Sequence, residues 1–389
     1  MRVLRLIGSL DPAHGGPSVS AVSSAIASQR AGAETTFAFV AAQGTPDPPA
    51  VARLHNEGVR TERFAYCSAA GQRGVAWGVS AGLLERLRHG LRDFDIVQCH
   101  GAWQMATAAA LAPGGEGRAR CVLTPHESLT DHDVEGASRR SLGLVKQWLR
   151  ARILTRFDRI VYSSEIEARD SVPAALAGVA RSGIVLHAVF DERAAAQPVA
   201  ARPGRGEALR IGFLGRLHAK KNVAILIEAL AHAPGVRLRI AGDGPERERL
   251  RALAGACGVA DRIEWLGFIG EAEKQEFLAE IDVLAMVSDY ECFGMAIAEA
   301  MVAGVPVIVS EETGVTPLVR DAGAGLVAAR KAEAVADAFN RMAADENTRL
   351  AMGARAAKAA RDHLSFAAHG AAMAACYEAL LADGRCPGI

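Results

Sequence analysis

The sequence has no excess of either charge. Its 389 residues carry 44 basic and 44 acidic side chains, for a formal net charge of zero, which removes any whole-chain electrostatic case for nucleic-acid binding. It has no CxxC pair. Its seven cysteines, Cys67, Cys99, Cys121, Cys257, Cys292, Cys376 and Cys386, are odd in number and scattered. That pattern argues for reduced thiols in a cytosolic protein and against a zinc site. No run approaches about 18 uninterrupted apolar residues, so no transmembrane helix is expected. The opening "MRVLRLIGSLDP" has too short an apolar run for a signal peptide, and turn residues follow at once. Internal repeats, heptad arrays and the GxGxxG spacing of a nicotinamide or flavin loop are also missing.

What is present is a globular chain, 50% hydrophobic and 23% charged, too long for one ordinary core; two domains are the natural expectation. "RVLRLIGSL", "TTFAFVAA", "DIVQCH", "CVLTPHES", "RIVYSS" and "GIVLHAVF" read as strands, with helical spacing in "VSAVSSAIASQRAGAE" and "VSAGLLERLRHGLRDF". Strands alternating with helices predict a parallel sheet covered on both faces. Residues 195–208, "AAQPVAARPGRGEA", lack an apolar period and predict a linker. The pattern then restarts with "LRIGFLGRL", "VRLRIAGDGP", "IEWLGF", "DVLAMVS", "VPVIVS" and "AGLVAA" as strands, and "FAAHGAAMAACYEALLADG" reads as a terminal helix. The fold class is α/β, with two Rossmann-like halves in tandem: residues 1–195, a linker at 196–208, residues 209–365, and a C-terminal helix within 366–389.

Ligands of open parallel sheets bind at the carboxyl ends of the strands, and the unusual residues gather there. Gly15 and Gly16 follow the first strand, where glycines allow close backbone approach and a helix start offers free N–H groups; an ordinary tight turn is the alternative. Arg216 and Lys221 in "GRLHAKKN" follow a buried strand. Two fixed cations there suit a pyrophosphate, against plain surface solvation. "DYECFGMAIAEAMVAG" places a loop at a helix N-terminus, which favours an anion. Glu291 lies in that loop and Glu299 within the helix. A carboxylate there suits sugar hydroxyls or a vicinal diol; a buried ion pair is the alternative for Glu299. His126 ends the "CVLTPHES" strand and His100 the "DIVQCH" strand. For His126 the alternative is a hydrogen-bonded structural histidine.

"GRLHAKKN", "IAGDGPERERL", "IEWLGFI" and "DYECFGMAIAEAMVAGVPVIVS", in this order over residues 209–330, resemble the retaining glycosyltransferases of family 4. "HGGPS", "CHGAW", "TPHESL" and "YSSEIEA" match more loosely. The resemblance implies the GT-B fold, two Rossmann-like domains facing a central cleft. The N-terminal domain is then the acceptor side, the second domain binds the nucleotide-sugar, and the C-terminal helix crosses back to the first. It implies that Arg216 and Lys221 hold the donor diphosphate, that Glu299 binds the ribose hydroxyls and that Glu291 lies by the donor sugar. The N–H groups of Phe293, Gly294 and Met295 face sugar or phosphate, Gly15 and Gly16 approach the diphosphate, and His126 lies near the reacting sugar. A UDP- or GDP-linked hexose and a glycan or lipid-linked acceptor are the implied substrates, in bacterial polysaccharide or lipopolysaccharide assembly. No cofactor and no metal are expected: the DxD form occurs only as "DHD" at 131–133, read as a loop of the acceptor half. A catalytically silent nucleotide-sugar-binding subunit and a GT-B epimerase are the rival readings.

The sequence departs from the family pattern at "VLHAVFD", where relatives carry Asn-Gly and this chain has His187 and Ala188. It departs again at "TGVTPLV", where Thr313 and Pro317 replace Gly and Glu, and at Val287-Ser288 in place of Pro-Ser. Residues 139–159, "RRSLGLVKQWLRARILTRFDR", set seven basic side chains against one acid, Asp158, beside an apolar component. They predict either a contact with an anionic membrane surface or a core-packed helix with a solvated basic face. The expected location is cytoplasmic, peripheral on the inner face of the membrane if that contact forms.

Overall fold

β1 (Arg2–Ile7) sends apolar side chains to both faces of a sheet: Leu4 and Leu6 enter one buried cluster, and Val3 and Ile7, on the other face, enter two more. Such a strand must be covered on both sides. In the computed structural model, which describes residues 1–10, 16–66, 78–105, 107, 119–135, 140–177, 181–193 and 208–382, it is an inner strand of a parallel sheet. The sheet also holds β2 (Glu34–Ala41), β3 (Arg60–Ala65), β4 (Ile96–His100), β5 (Arg120–Thr124), β6 (Arg159–Tyr162) and β7 (Ser182–Ile184), in the order β3-β2-β1-β4-β5-β6-β7. Leu4 sits level with Thr36 of β2 and Val97 of β4. The helices are α1 (Gly16–Arg30), α2 (Pro49–Asn56), α3 (Ala81–Gly90), α4 (Asp131–Glu135), α5 (Arg140–Arg156) and α6 (Glu165–Ser171).

The second sheet is also parallel, in the order β10-β9-β8-β11-β12-β13. It holds β8 (Leu209–Leu214), β9 (Val236–Ala241), β10 (Ile263–Gly267), β11 (Val283–Met286), β12 (Val307–Val309) and β13 (Gly325–Val327). Its helices are α7 (Val223–Ala231), α8 (Arg247–Ala256), α9 (Glu271–Glu280), α10 (Met295–Val302), α11 (Thr316–Ala322), α12 (Ala332–Ala344) and α13 (Glu346–His363). The chain divides into two units: Met1–Ala188 with Phe366–Ile389, and Val189–Ser365. The last helix, α14 (Phe366–Ala382), therefore belongs to the first unit, where it packs on α1. A Cβ at Gly370 would come within 2.4 Å of the Ala27 carbonyl oxygen, so only glycine permits that approach.

The structure corrects several local expectations. "GIVLHAVF" is not one strand: β7 ends at Ile184, and the chain leaves the sheet before His187. "DHD" is not loop but part of α4, whose acids are held by cations of α5. The edge strand β3 and the helices α2, α6, α11, α12 and α13 went unread. β3 is only half buried and lacks a continuous apolar run, so its pairing, not its composition, makes it a strand. The linker read at 196–208 lies, except for residue 208, outside the described residues.

Candidate functional site

In the second unit the strand order reverses between β8, which continues to β9 and β10, and β11, which continues to β12 and β13. Ligand crevices form outside the carboxyl ends of strands at such a reversal. The loop after β8 carries Arg216 and Lys221, and the loop after β11 carries Glu291. The two are stitched together: Asp289 N–H donates to Lys220 O at 2.8 Å, and Asn222 Nδ2 donates to Val287 O at 3.0 Å and Asp289 Oδ1 at 2.7 Å. Asn222 sits at φ 53°, a left-handed position that a short polar side chain tolerates. The "GDGP" loop after β9 lies against the same segment. A Cβ at Gly242 would meet Gly215 O at 1.8 Å, and one at Gly244 would meet Leu217 O at 2.3 Å. These glycines are a packing requirement.

Lys221 Nζ forms an ion pair with Glu291 Oε1, both side chains being largely buried. Two of the residues singled out in the sequence are thus brought into direct contact. Arg216 is exposed and makes no ion pair among the described residues. The Glu291 loop is zipped to the segment holding the "TGVTPLV" departure. Glu291 N–H donates to Glu312 O at 2.9 Å, Gly314 N–H to Glu291 O at 2.9 Å, and Val315 N–H to Phe293 O at 3.0 Å. Thr313 is fully buried. Its Cγ2 lies 2.9 Å from where a Cβ on Gly294 would be, and Gly294 has φ 97°. Position 294 therefore demands glycine on both conformational and steric grounds. Met295 opens α10, whose first turn contains no acid, so its unbonded N–H groups keep their positive character.

Glu299 has a protein partner, Lys274 of α9. Nζ lies 2.7 Å from Glu299 Oε1 and 2.8 Å from Glu271 Oε2. The buried ion pair that stood as the alternative for this carboxylate is therefore present. Burial pushes the Glu299 carboxyl above its usual range, and Lys274 opposes that. One oxygen of Glu299 bonds the ammonium.

In the first unit the reversal falls between β1 and β4. Gly8 N–H, after β1, donates to Gln104 Oε1, after β4, at 2.6 Å. Gly15 lies outside the described residues. Gly16 is the first residue of α1, and nothing lies within 4 Å of a Cβ placed there. His100 ends β4, and His126 follows β5. The structure brings them together, with His187 as a third ring: the His100–His126 centroids are 5.3 Å apart and the His126–His187 centroids 5.5 Å, all nearly parallel. Burial lowers the His126 pKa to about 4. It drives His100 and His187 well below the ordinary value, with their histidine neighbours adding to the effect. Among the described residues, no group of three His, Cys, Asp or Glu side chains is arranged to hold a metal ion. His126 and Glu127 have φ 51° and 71°, consecutive left-handed residues of a kind that carries local strain. The turn is held by Glu167, which is fully buried: Oε1 accepts from Glu127 N–H at 2.8 Å, and Oε2 from Ser163 N–H and Oγ at 2.7 and 2.8 Å.

On α5 the basic residues are less open than the sequence suggested. Arg150 pairs with Asp131 at 2.6 Å, and Lys146 with Asp133 at 2.7 Å; Asp133 also accepts from Trp103 Nε1. Ile153 and Leu154 are core, whereas Leu144, Val145 and Trp148 are 68%, 51% and 59% exposed. Among the described residues, no helix is long and apolar enough to cross a membrane. Lys274, Gln104, Glu167 and Arg5 were missed as site residues. Arg5 alone left a signal, a cation inside a buried strand.

Two family models match. The one described as "Glycosyl transferases group 1" covers residues 201–359, and "Glycosyltransferase Family 4" covers residues 14–177. The chain is 36% identical over 143 residues to the lipopolysaccharide core biosynthesis glycosyltransferase LpsE of Rhizobium meliloti (strain 1021), covering 36% of this chain and 42% of that protein. It is 36% identical over 161 residues to a GDP-mannose-dependent alpha-(1-6)-phosphatidylinositol monomannoside mannosyltransferase of Mycobacterium tuberculosis, covering 38% and 42%. The chain thus spans less than half the length of these curated relatives. Among solved structures, Anabaena Alr3699/HepE in complex with UDP and glucose superposes with a TM-score of 0.70 at 20% identity, over 97% of this chain and 100% of that one.

Proposed function

This chain belongs to glycosyltransferase family 4 and has the GT-B fold, and from that premise we propose that it moves a hexose from a UDP- or GDP-linked donor to a glycan or lipid-linked acceptor with retention of configuration. The observation that carries the reading is the Lys221–Glu291 pair at the strand reversal of the second unit, in the loop that leads into α10. A donor diphosphate is the anion suited to that place. It draws Lys221 toward itself and meets the N–H groups of the α10 first turn, leaving Glu291 to accept from sugar hydroxyls. Exposed Arg216 supplies a second cation. Charge grows on the diphosphate as its bond to the sugar C1 breaks. Fixed cations and N–H groups stabilise that charge, so the reaction needs no divalent metal. The acceptor oxygen bonds to C1 on the face the diphosphate leaves, and the acceptor proton passes to the departing phosphate oxygen; no protein base is assigned. The name of the LpsE relative favours bacterial lipopolysaccharide or polysaccharide assembly, and a cytoplasmic location is part of the proposal.

The test is incubation of the purified protein with radiolabelled UDP- and GDP-hexoses. Transfer to an acceptor, or slow release of free sugar, supports the reading. Binding without turnover favours a silent subunit, and a changed sugar still on its nucleotide favours an epimerase. The exposed Leu144, Val145 and Trp148, with Arg152 over the Trp148 ring at 5.2 Å, favour a second element of the proposal, a contact of α5 with an anionic lipid surface that holds the enzyme near a lipid-linked acceptor. Sedimentation with phosphatidylglycerol vesicles, weakened by salt and by Trp148→Ser or Arg152→Glu, supports it; no binding at low salt removes it.

A further inference from the structure

We infer that Arg5 and His100 are positioning residues that fix the ring proton of His126 on Nδ1, through a one-way chain of hydrogen bonds from Arg5 Nη1 to His100 Nε2 and from His100 Nδ1 to His126 Nε2. A guanidinium only donates. His100 Nε2, 3.3 Å from Arg5 Nη1, must therefore accept. A neutral imidazole has one N–H, so the proton of His100 sits on Nδ1 and is donated to His126 Nε2 at 3.0 Å. His126 Nε2 accepts, and its own proton is left on Nδ1. Protonating His126 would set one N–H against another.

The source of this order is Arg5. It lies in the middle of β1 with 0% exposure, and its partners are Ser24 Oγ at 2.8 Å, Ser28 Oγ at 2.6 Å, Tyr377 Oη at 3.1 Å and His100. No acid pairs with it among the described residues. A second branch runs in the same sense. Leu186 O can only accept, so the His369 proton is on Nδ1, 2.7 Å away, and the bare Nε2 accepts from Ser24 Oγ at 2.7 Å, the hydroxyl that itself accepts from Arg5. In a third, Tyr377 donates to Gln98 Oε1, and Gln98 Nε2 to Thr124 Oγ1 at 2.7 Å, two residues before His126. Both histidines next to the cation, His100 and His369, are held below the ordinary value, chiefly by burial and further by Arg5.

A buried cation is expensive, and an apolar replacement of similar volume is often more stable. Here the cost maintains a directional network whose outer end is the partly exposed His126, carried on left-handed backbone. The consequence is chemical. His126 offers a ligand oxygen a hydrogen-bond donor, and it is not a base. Only the identity of that oxygen, a hydroxyl of the reacting sugar, rests on the function proposed above.

The experiment is a two-bond 1H–15N correlation spectrum of the ligand-free, 15N-histidine-labelled protein at pH 7, with the His126 signals identified by their loss in His126→Gln. A single neutral Nδ1–H form is expected. An Nε2–H form, a mixture of tautomers or an imidazolium would overturn the inference. Arg5→Met and His100→Leu should each convert His126 to a mixture; a folded variant that keeps the pure Nδ1–H form removes that residue from the chain. The wild-type spectrum decides the tautomer even if a variant does not fold. No donor or acceptor is present, so this test can fail while the transfer assay succeeds, or the reverse.

Discussion

Removing the Lys274 ammonium separates the two explanations of Glu299. An exposed ion pair contributes about 0.2–1 kcal/mol, whereas stripping one partner from a fully buried pair costs about 3–5 kcal/mol. Lys274 and Glu299 retain 16% and 23% side-chain exposure at 2.7 Å, so their coupling should fall between these limits, at about 2 kcal/mol. Glu271, 80% exposed, adds little. Urea unfolding of Lys274→Met, Glu299→Gln and the double variant measures this coupling as a cycle, and additivity within about 0.5 kcal/mol would refute it. The ligand half of the question uses the same proteins. If the remaining oxygen of Glu299 accepts from the ribose, wild type and Lys274→Met should both bind the ribonucleoside diphosphate at least about tenfold more tightly than its 2′-deoxy analogue, since a charged hydrogen bond contributes about 1.5–3 kcal/mol. Glu299→Gln should lose most of that preference in calorimetry. A Glu299→Gln protein that discriminates as well as wild type leaves the ion pair as the whole reason for the carboxylate.

Lys221→Ala and Arg216→Ala should each lower turnover about a hundredfold, roughly 3 kcal/mol of transition-state stabilisation, with unchanged circular dichroism; near-normal rates would undo the diphosphate assignment. Glu291→Gln should lower turnover more than donor affinity, measured at saturating donor and by titration. Transfer activity should survive excess EDTA, and loss restored by Mn²⁺ or Mg²⁺ would contradict the metal-independent reading. The folded-state pKa values of His126 and His369 are depressed to about 4 from an ordinary value of about 6.5. The unfolded chain therefore binds more protons in that interval. Stability is fully present above pH 6.5 and falls as pH drops toward 4. His369→Gln should flatten the slope of unfolding free energy against pH there, and an unaltered slope would count against a neutral buried ring.

The alternation of apolar strands such as "RVLRLI", "LRIGFL" and "DVLAM" with helical segments pointed to two parallel sheets without help from the tertiary structure, because strands buried on both faces read as near-continuous apolar runs. The placement of Lys221, Glu291 and His126 beyond strand ends was legible because topology puts such positions at the ligand edge, whereas the packing role of the "GDGP" glycines was not. β3 was not legible, since an edge strand with polar residues acquires its pairing only from β2. Neither was Lys274, 25 residues from Glu299 on a different helix; no local spacing joins them, and only the fold brings the ammonium to the carboxylate. The protonation of His126 is the extreme case. The sequence supplies a histidine at a strand end. Its tautomer is decided by Arg5, 121 residues earlier, acting through His100, because the direction of a hydrogen bond depends on which groups can only donate, and that is known only once the fold has brought them together.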